Sequence, residues 1–442
     1  MTLHAVIVGA GPIGLATACR LAQDGAAVTV VDAVHGGGGA STRNAGWIVP
    51  IMSTPVPAPG MLGKALRWML RKDSPLYVRP SPRPEHVRFM ASMLRHCNHK
   101  DFRHGVEALV ALNERTIALF DGYENDGVRF EYHRTGHLLV FTTLETMRAY
   151  QAETAPMERI GHTAIPLSGD EVRDLEPVIS KNVRAGLHCS HERHLDPVTL
   201  IKGLEDRCRE LGVEILYDRP VTDIRMEGAV ARSLLAGGDD IPADVFVLAA
   251  GIHTGALARL AGFPLPIQPG KGYGLDDTTK SVNLRHAVYF GEAKVAVTPL
   301  SDRVRLAGTM EFGSRDATLD VDRLRGIAQA ADNYLTGFPP PSQLHAWTGS
   351  RSMTPDGLPV IGPLPGKDNV LVASGHCMLG VTLAPITAEI IAAYAKNGIQ
   401  QAGIAQVADP FSPRRFASPR IRAALHDAGK AAPWQGLRPT SR

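Results

Sequence analysis

A glycine pattern near residue 10 constrains the fold of this chain more than any other feature. Residues 4–9 form a short apolar run rich in β-branched residues, and they lead into the sequence G-A-G-P-I-G at residues 9–14. Residues 12–25 have helical apolar spacing, and residues 27–32 form a second β-branched run. A strand, a helix and a strand within about 30 residues are typical of a βαβ unit in a buried parallel sheet. The pattern therefore predicts an α/β fold that starts with a Rossmann-like unit.

The same pattern predicts a dinucleotide site. In G-x-G-x-x-G the first glycine permits a tight turn, the second lets the backbone approach a pyrophosphate, and the third lets the helix pack closely on the sheet. The helix N-terminus adds unpaired N–H groups and a partial positive charge. An acid at the end of the second strand can accept hydrogen bonds from ribose hydroxyls and would repel the 2′-phosphate of NADP. The predicted contacts are Gly9, Gly11, Pro12, Ile13, Gly14 and Asp32.

The spacing alone does not decide between FAD and NAD. The motif occurs once, and a second, NAD-type fingerprint is absent from the sequence. The glycine-rich segment 36–46 follows the second strand, and its glycines permit a close approach to an isoalloxazine edge. Ser41 and Thr42 would be within reach of the pyrophosphate. A flexible surface loop is the alternative interpretation of this segment.

Length and composition indicate a soluble protein of two domains. The chain has 442 residues, 21% of them charged, and a net charge of +3, so nothing attracts it strongly to nucleic acid. Five scattered cysteines form no C-x-x-C pair, which predicts reduced thiols and neither disulfides nor a metal site. No targeting segment precedes the first apolar run and no stretch of about 20 apolar residues exists, so we expect a cytoplasmic protein.

Further nucleotide-type elements recur along the chain. Strands are predicted at 213–217, 244–250 and 369–373, and helices at 198–211 and 380–396. Residues 285–316 alternate apolar and polar, which indicates antiparallel strands with one face in solvent. We therefore predict a discontinuous nucleotide-binding domain (1–60, 171–262 and 345–400). An interleaved α+β substrate domain with an antiparallel sheet (61–170 and 263–344) and a C-terminal tail (401–442), ill-ordered from residue 409, complete the chain.

Several motifs now carry a family resemblance. The S-T-R-N-A-G turn at 41–46, K-G-Y-G-L at 271–275, and W-T-G-S-R-S-M-T-P-D-G-L-P-V-I-G at 347–362 are followed by G-H-C-M-L-G at 375–380. With them the chain resembles the D-amino-acid oxidase/glycine oxidase superfamily of flavoenzymes, and within it the D-amino-acid dehydrogenases. One run departs from that branch, because H-E-R-H-L-D-P at 191–197 looks more like the glycine, sarcosine and hydroxyproline enzymes.

The resemblance implies FAD as the cofactor. The family's covalent attachment points have no evident match, so we expect noncovalent FAD. A helix beginning at residue 380 would stabilise negative charge on the flavin edge. Besides the N-terminal motif, the implied cofactor contacts are Ser41, Thr42, Arg43, Asn44, Ala45, Gly46, Val221, Gly251, Gly375, Gly380, Val381, Thr382 and Leu383.

The resemblance also implies a substrate site. Arg351 is the predicted ligand of the substrate carboxylate, because a guanidinium binds a carboxylate bidentately. A structural ion pair with Asp356 is the alternative. Tyr273 would contact the carboxylate, cover the flavin or only pack, and His376 would contact the flavin or cap its turn, without acting as a base. His194 is expected to lie partly exposed on the surface, since that is commoner for a histidine than a role in the site.

The implied reaction is oxidative deamination of a small amino acid. Hydride would pass from Cα to flavin N5, leaving an imine that water converts to a 2-oxo acid and ammonia. The electron acceptor would be a quinone, another carrier or O2. A glycine, sarcosine or D-hydroxyproline enzyme and a non-catalytic dinucleotide-binding scaffold are the alternatives. Residues 61–72 form a basic amphipathic stretch, which either touches the inner face of the plasma membrane or packs as a solvated helix.

Overall fold

The computed structural model describes residues 2–35, 38–61, 63, 74–314, 316–397 and 407–417. In this part of the chain the strands are β1 (His4–Val8), β2 (Ala27–Val31), β3 (Trp47–Ile48), β4 (Leu76–Val78), β5 (Tyr132–His133), β6 (His137–Phe141), β7 (Ile165–Ser168), β8 (Ala185–Cys189), β9 (Arg193–Leu195), β10 (Glu214–Leu216), β11 (Val221–Glu227), β12 (Val230–Ala236), β13 (Asp239–Pro242), β14 (Val245–Leu248), β15 (Gln268–Asp277), β16 (Ala287–Phe290), β17 (Val295–Pro299), β18 (Val304–Phe312), β19 (His345–Met353), β20 (Val360–Pro363) and β21 (Val370–Ser374).

The helices of the same residues are α1 (Pro12–Gln23), α2 (Pro84–His96), α3 (His99–Asn113), α4 (Thr116–Asn125), α5 (Leu144–Thr154), α6 (Gly169–Leu175), α7 (Pro197–Glu210), α8 (Thr254–Leu260), α9 (Val321–Tyr334) and α10 (Ala384–Asn397). Among them no helix combines the length and the apolarity needed to cross a bilayer.

A six-stranded sheet in the order β10-β2-β1-β14-β21-β20 builds the nucleotide-type half. Its first five strands run parallel and β20 pairs antiparallel with β21. One face packs on the apolar sides of α1, α7 and α10, and the other on α8 and the three-stranded sheet β11-β12-β13. Strands from distant parts of the chain thus share one sheet, and the predicted interleaved α/β architecture is confirmed.

A mixed nine-stranded sheet in the order β19-β15-β18-β17-β16-β6-β8-β7, with β4 beside β18, builds the other half. Helix α9 packs on one face, where its Ile327, Ala331 and Tyr334 meet the apolar residues of β15 to β18. The predicted antiparallel strands at 285–316 are present, but the prediction of a solvent-exposed face is wrong. Strands β16 to β18 are buried on both faces, because α9 covers one and the 40–52 segment covers the other.

A short strand follows the 41–46 turn. Trp47 and Ile48 of β3 pair with His194 and Arg193 of β9, which joins β5 in a small antiparallel sheet. Helices α2, α3 and α4 follow β4 along the chain, whereas residues 62 and 64–73 lie outside the described residues.

Two C-terminal predictions need correction. Helix α10 begins at Ala384 and not at residue 380, because residues 380–383 form a turn that precedes it. The prediction that the chain is ill-ordered from residue 409 is wrong for residues 409–417. They form short 3₁₀ turns that bury Phe411 in the core and bring Arg415 to Asp356. The division into domains at the proposed boundaries stays a prediction.

Candidate active site

The glycines of the N-terminal turn are required by close backbone contacts. Gly9 has φ +115°, and a Cβ there would lie 2.5 Å from the carbonyl oxygen of Ala249. A Cβ on Gly14 would lie 1.8 Å from the carbonyl oxygen of Gly9. The tight turn and the close packing of α1 on the sheet therefore depend on these residues lacking a side chain.

The N-terminus of α1 offers unused donors to a pyrophosphate. Gly11 is the N-cap and provides no side-chain acceptor, and Pro12 has no N–H. The first backbone N–H with a helical partner is that of Leu15, which donates to Gly11 O at 2.9 Å. The N–H groups of Ile13 and Gly14 precede that bond and lie in the first turn, where no helical partner exists. These groups fit a bound phosphate without rearrangement.

Asp32 lies at the end of β2 and is held by the backbone. Its Oδ2 accepts from the N–H of Ala10 at 2.6 Å and its Oδ1 from the N–H of Val34 at 3.0 Å. A carboxylate can accept about four hydrogen bonds, so two positions remain for ribose hydroxyls. The N–H of Arg219 donates to Asp32 O at 2.8 Å, which brings the start of β11 at Val221 close to this corner.

The 41–46 turn joins the nucleotide unit to the nine-stranded sheet. A Cβ on Gly11 would lie 3.1 Å from Ser41 Oγ, so this turn borders the phosphate position. The Asn44 side chain is hydrogen-bonded within the turn, since its Nδ2 donates to Ser41 O at 2.6 Å and its Oδ1 accepts from Gly46 N at 2.7 Å. On the other side, a Cβ on Gly349 of β19 would lie 2.9 Å from the carbonyl oxygen of Arg43.

Arg351 lies on β19, on the sheet face that the 41–46 turn approaches. Its Nη1 donates to Thr309 O at 3.1 Å and weakly to Met310 Sδ at 3.9 Å, and its Nε and Nη2 make no hydrogen bond with other described residues. Burial lowers the pKa of the guanidinium to about 10, and no described carboxylate lies within ion-pair distance of it. The alternative pairing with Asp356 is wrong, because that carboxylate accepts from Arg415 Nε at 2.6 Å.

Gly272 provides the space in which the guanidinium lies. A Cβ there would be 2.4 Å from Arg351 Nη1 and 2.7 Å from Cζ. Thr309, whose carbonyl accepts from Nη1, has φ +58° in a bulge where β18 has one more residue than β15. A β-branched residue in that backbone conformation is strained, and such strain is concentrated at functional sites.

Tyr273 is not brought together with Arg351. It lies on β15 next to Gly272, and successive residues of a strand point to opposite faces. Its ring packs in the cluster with α9, 1% exposed, and its hydroxyl donates to Glu311. Tyr273 thus packs on the α9 side of the sheet, and its predicted role in the site stays a prediction.

The turn 375–380 closes the site near Arg351. Gly375 has φ +70°, and the N–H of Cys377 donates to Ser352 O at 3.0 Å, one residue from Arg351. His376 is 1% exposed, with Nε2 at 2.9 Å from Thr387 Oγ1 and Nδ1 without a partner in the described chain. Burial lowers the pKa of His376 to about 3, so the ring is neutral.

Other predicted residues occupy places nearby or elsewhere. Gly251 O accepts from Ser374 Oγ at 3.0 Å, beside the turn at Gly375. The Thr382 hydroxyl is engaged by the backbone, since it donates to Trp47 O at 3.0 Å and accepts from Val49 N. The expectation of an exposed His194 is wrong, because the residue is 1% exposed with Nε2 at 3.1 Å from Pro299 O. The cofactor roles of the residues predicted for FAD stay predictions.

Sequence reasoning missed the residues that shape the Arg351 pocket. Gly270, Gly272 and Gly274 alternate along β15, and Cβ atoms there would meet Met353, Arg351 and Trp347. Glycines at alternating strand positions signal close approach on one face. The sequence G-K-G-Y-G-L at residues 270–275 carries that signal.

Comparisons with known proteins agree with this geometry. Residues 4–394 match the family model described as FAD dependent oxidoreductase. A D-amino acid dehydrogenase of Xanthobacter autotrophicus is 32% identical over 399 residues, covering 88% of this chain and 94% of that protein.

Solved structures share the fold at lower identity. A glycine oxidase from Geobacillus kaustophilus superposes with a TM-score of 0.72 at 20% identity, over 94% of this chain and 100% of that one. An L-proline dehydrogenase from P. horikoshii has a TM-score of 0.72 at 18% identity, over 94% of this chain and 98% of that one.

Proposed function

This chain belongs to the FAD-dependent oxidoreductase family, and from this we propose that it oxidises the carbon–nitrogen bond of a small D-amino acid. The product would be an imine, which water converts to a 2-oxo acid and ammonia. The observation that carries the proposal is the guanidinium of Arg351, which has no carboxylate partner among the described residues and keeps most of its donors free. A dinucleotide-binding scaffold would have no use for such a group.

Arg351 would bind the substrate carboxylate. Arg351 is half-buried, and removing a cation even partly from water without a partner costs free energy, so an arginine in this state indicates a missing anion. Its planar fork accepts a carboxylate bidentately and fixes the orientation of the molecule behind it. Thr309 O accepts a hydrogen bond from the guanidinium, and Gly272 leaves the space that it occupies. The substrate would therefore meet a preorganised site.

The N-terminal residues would hold FAD by its phosphates and ribose. The N–H groups at the start of α1 would bind the pyrophosphate, and Asp32 the ribose hydroxyls. When bound, FAD supplies the two-electron oxidation of the carbon–nitrogen bond. The 41–46 turn lies between this unit and Arg351, so the reactive end of the cofactor would be directed toward the substrate.

No side chain is assigned as a general base. His376 is the imidazole of the 375–380 turn, and with a pKa of about 3 it binds protons too weakly to remove one efficiently near neutral pH. A neutral ring can still donate or accept one hydrogen bond through its free Nδ1. We therefore propose that catalysis relies on orientation, with the substrate amine entering in its neutral form.

A substrate panel tests the proposal and separates it from the alternatives. D-amino acids, glycine, sarcosine and the hydroxyproline isomers are each supplied with O2 alone and with an artificial electron-accepting dye. We expect turnover of D-amino acids with the dye and little with O2, since a carrier such as a quinone is the proposed acceptor. Rapid O2-dependent oxidation of glycine or sarcosine would instead support an oxidase, and no turnover of any substrate would support the scaffold.

Peripheral membrane contact through residues 61–72 stays a separate prediction. Apart from residues 61 and 63, this stretch lies outside the described residues. Its basic and apolar side chains predict binding to anionic vesicles at low salt. Cosedimentation with phosphatidylserine vesicles, absent with phosphatidylcholine vesicles, is the expected result, and an equal distribution in both would contradict the prediction.

A further inference from the structure

A buried ion pair lies between the 41–46 turn and the nine-stranded sheet. Arg305 of β18 and Asp276 of β15 are 5% and 9% exposed. Arg305 Nε donates to Asp276 Oδ1 at 2.9 Å and Nη2 donates to Oδ2 at 2.8 Å. The contact is therefore bidentate, and the position of the guanidinium is fixed by its partner.

The third nitrogen of this guanidinium holds the turn. Arg305 Nη1 donates to the carbonyl oxygens of Thr42 at 3.1 Å and Asn44 at 3.0 Å. These carbonyls belong to the segment that borders the phosphate position next to Gly11. Arg305 thus spans from the sheet to the turn that would carry the flavin edge.

The same ion pair reaches the strand that carries Arg351. Asp276 Oδ1 also accepts from Trp347 Nε1 at 2.8 Å, and the Arg305 guanidinium lies 5.0 Å from the Trp347 ring centre. Trp347 is on β19, four residues before Arg351, and its indole covers the glycine backbone of Gly274. The position of the turn relative to the substrate-binding strand is therefore set by one connected set of contacts.

A second anchor reinforces this connection. Arg303 Nη2 donates to Asp196 Oδ1 at 2.8 Å, and its Nε lies 3.5 Å from Asp276 Oδ2. Asp196 caps the N-terminus of α7, and the preceding residue Leu195 donates its N–H to Gly46 O at 2.8 Å. The turn is thereby held at Thr42 and Asn44 by Arg305, and at Gly46 by the backbone next to Asp196.

Stability alone is a weak reason for such an arrangement. Desolvating two charges often offsets their attraction, so apolar residues would stabilise the same contact as well or better. What the ion pair adds is a fixed direction for Nη1 and thus a fixed position for two carbonyls.

We propose that Arg305, anchored by Asp276, is a positioning residue that sets the 41–46 turn for FAD binding and aligns it with Arg351. The inference rests on the proposed function, since it takes the flavin to lie against this turn.

Cofactor affinity and kinetics test this role together. The variants are Arg305→Lys and the isosteric Asp276→Asn, with Arg323→Lys as the matched control. Arg323 is also a buried arginine, 5% exposed, but it lies on α9 on the opposite face of the sheet and donates to Ser74. For each protein the FAD dissociation constant is measured by titrating flavin into apoprotein, and kcat and KM are measured at saturating FAD.

We expect Arg305→Lys to raise the FAD dissociation constant at least tenfold, Asp276→Asn at least threefold, and Arg323→Lys less than twofold. At saturating FAD the first two variants should lose kcat, while KM for the amino acid stays within twofold of the original protein. Asp276→Asn carries the test if Arg305→Lys does not fold. Unchanged FAD affinity in the Arg305 or Asp276 variants, or an equal loss in the Arg323 control, would overturn the inference. If the unaltered protein binds no FAD, the proposed function itself fails, which is a distinguishable result.

Discussion

Replacing Arg351 by lysine keeps the positive charge and removes the fork. Each charge-assisted hydrogen bond from the guanidinium to a substrate carboxylate is worth about 1.5–3 kcal/mol, and lysine keeps one of the two. The loss of one bond corresponds to a fall in kcat/KM of roughly 10- to 150-fold. Arg351→Met removes both bonds and the charge, for a fall of roughly 10² to 10⁴. Both variants should retain FAD, because Arg351 makes no contact with the residues around the phosphate position.

The assay is the initial rate with a D-amino acid and an artificial dye, normalised to bound flavin by its visible absorbance. Arg323→Lys again serves as the control for the loss of a buried guanidinium, and its kcat/KM should stay within twofold of the unaltered value. A kcat/KM for Arg351→Lys equal to that of the control would refute the assignment of Arg351 as the carboxylate ligand.

Three further predictions follow from contacts in the same structure. Gly272→Ala should lower kcat/KM about as much as the lysine variant, because its Cβ would lie 2.4 Å from the guanidinium; unchanged steady-state kinetics would contradict this. Gly14→Ala should destabilise the protein by about 2–4 kcal/mol, because the added Cβ would clash with the backbone. Gly122→Ala lies in α4 with nothing within 4 Å of the added Cβ, so it should stabilise the protein by about 0.5–1 kcal/mol. Urea unfolding measures both variants, and changes in stability of the same sign would contradict the packing described. Burial lowers the pKa values of His376 and His194 to about 3 in the folded protein, against an ordinary 6.5, so below pH 6.5 the unfolded chain binds more protons than the folded one. Each of the two residues should therefore lower the free energy of unfolding by about 1.4 kcal/mol per pH unit as the pH falls toward 4. In urea unfolding, His194→Asn should show a weaker dependence of stability on pH, and an unchanged dependence would exclude the effect.

The nucleotide half was predictable because its signals are local. The turn at Gly9 to Gly14 and the acid at Asp32 are fixed by short-range geometry, and the structure has the strands and the helix within a residue or two of the expected bounds. Continuously apolar strands such as β14 also indicate a buried parallel sheet, since they carry no polar alternation.

In the half built on the nine-stranded sheet, the sequence predicts the motifs but does not show which face of the sheet each side chain occupies. Family motifs led to Arg351 and Tyr273 together, whereas the space that Gly272 leaves for the Arg351 guanidinium was not foreseen. A strand pattern shows that adjacent residues point to opposite faces, but which face meets α9 and which meets the 41–46 turn depends on contacts far apart in sequence. The sequence gives no sign of the bulge at Thr309, whose carbonyl is directed at Arg351. Threonine is uncommon at a positive φ, so its presence does not predict such a backbone conformation.

The long-range polar contacts also could not be predicted from the sequence. Arg305 and Asp276 are 29 residues apart, and the carbonyls that Arg305 holds are more than 250 residues away in sequence. Without the structure, the alternating charges of β15 and β18 indicate solvent-exposed positions, which is the opposite of their burial.

We propose that a flavin held by the N-terminal turn faces an amino acid held by Arg351. Anaerobic mixing of the purified protein with a D-amino acid, followed by visible absorption, tests this arrangement most directly. We expect an oxidised flavin spectrum that bleaches within the first turnover, and bleaching at least tenfold slower in Arg351→Lys at the same subsaturating substrate concentration. A colourless protein that takes up no FAD, or a bound flavin that stays oxidised with every D-amino acid tried, would contradict it.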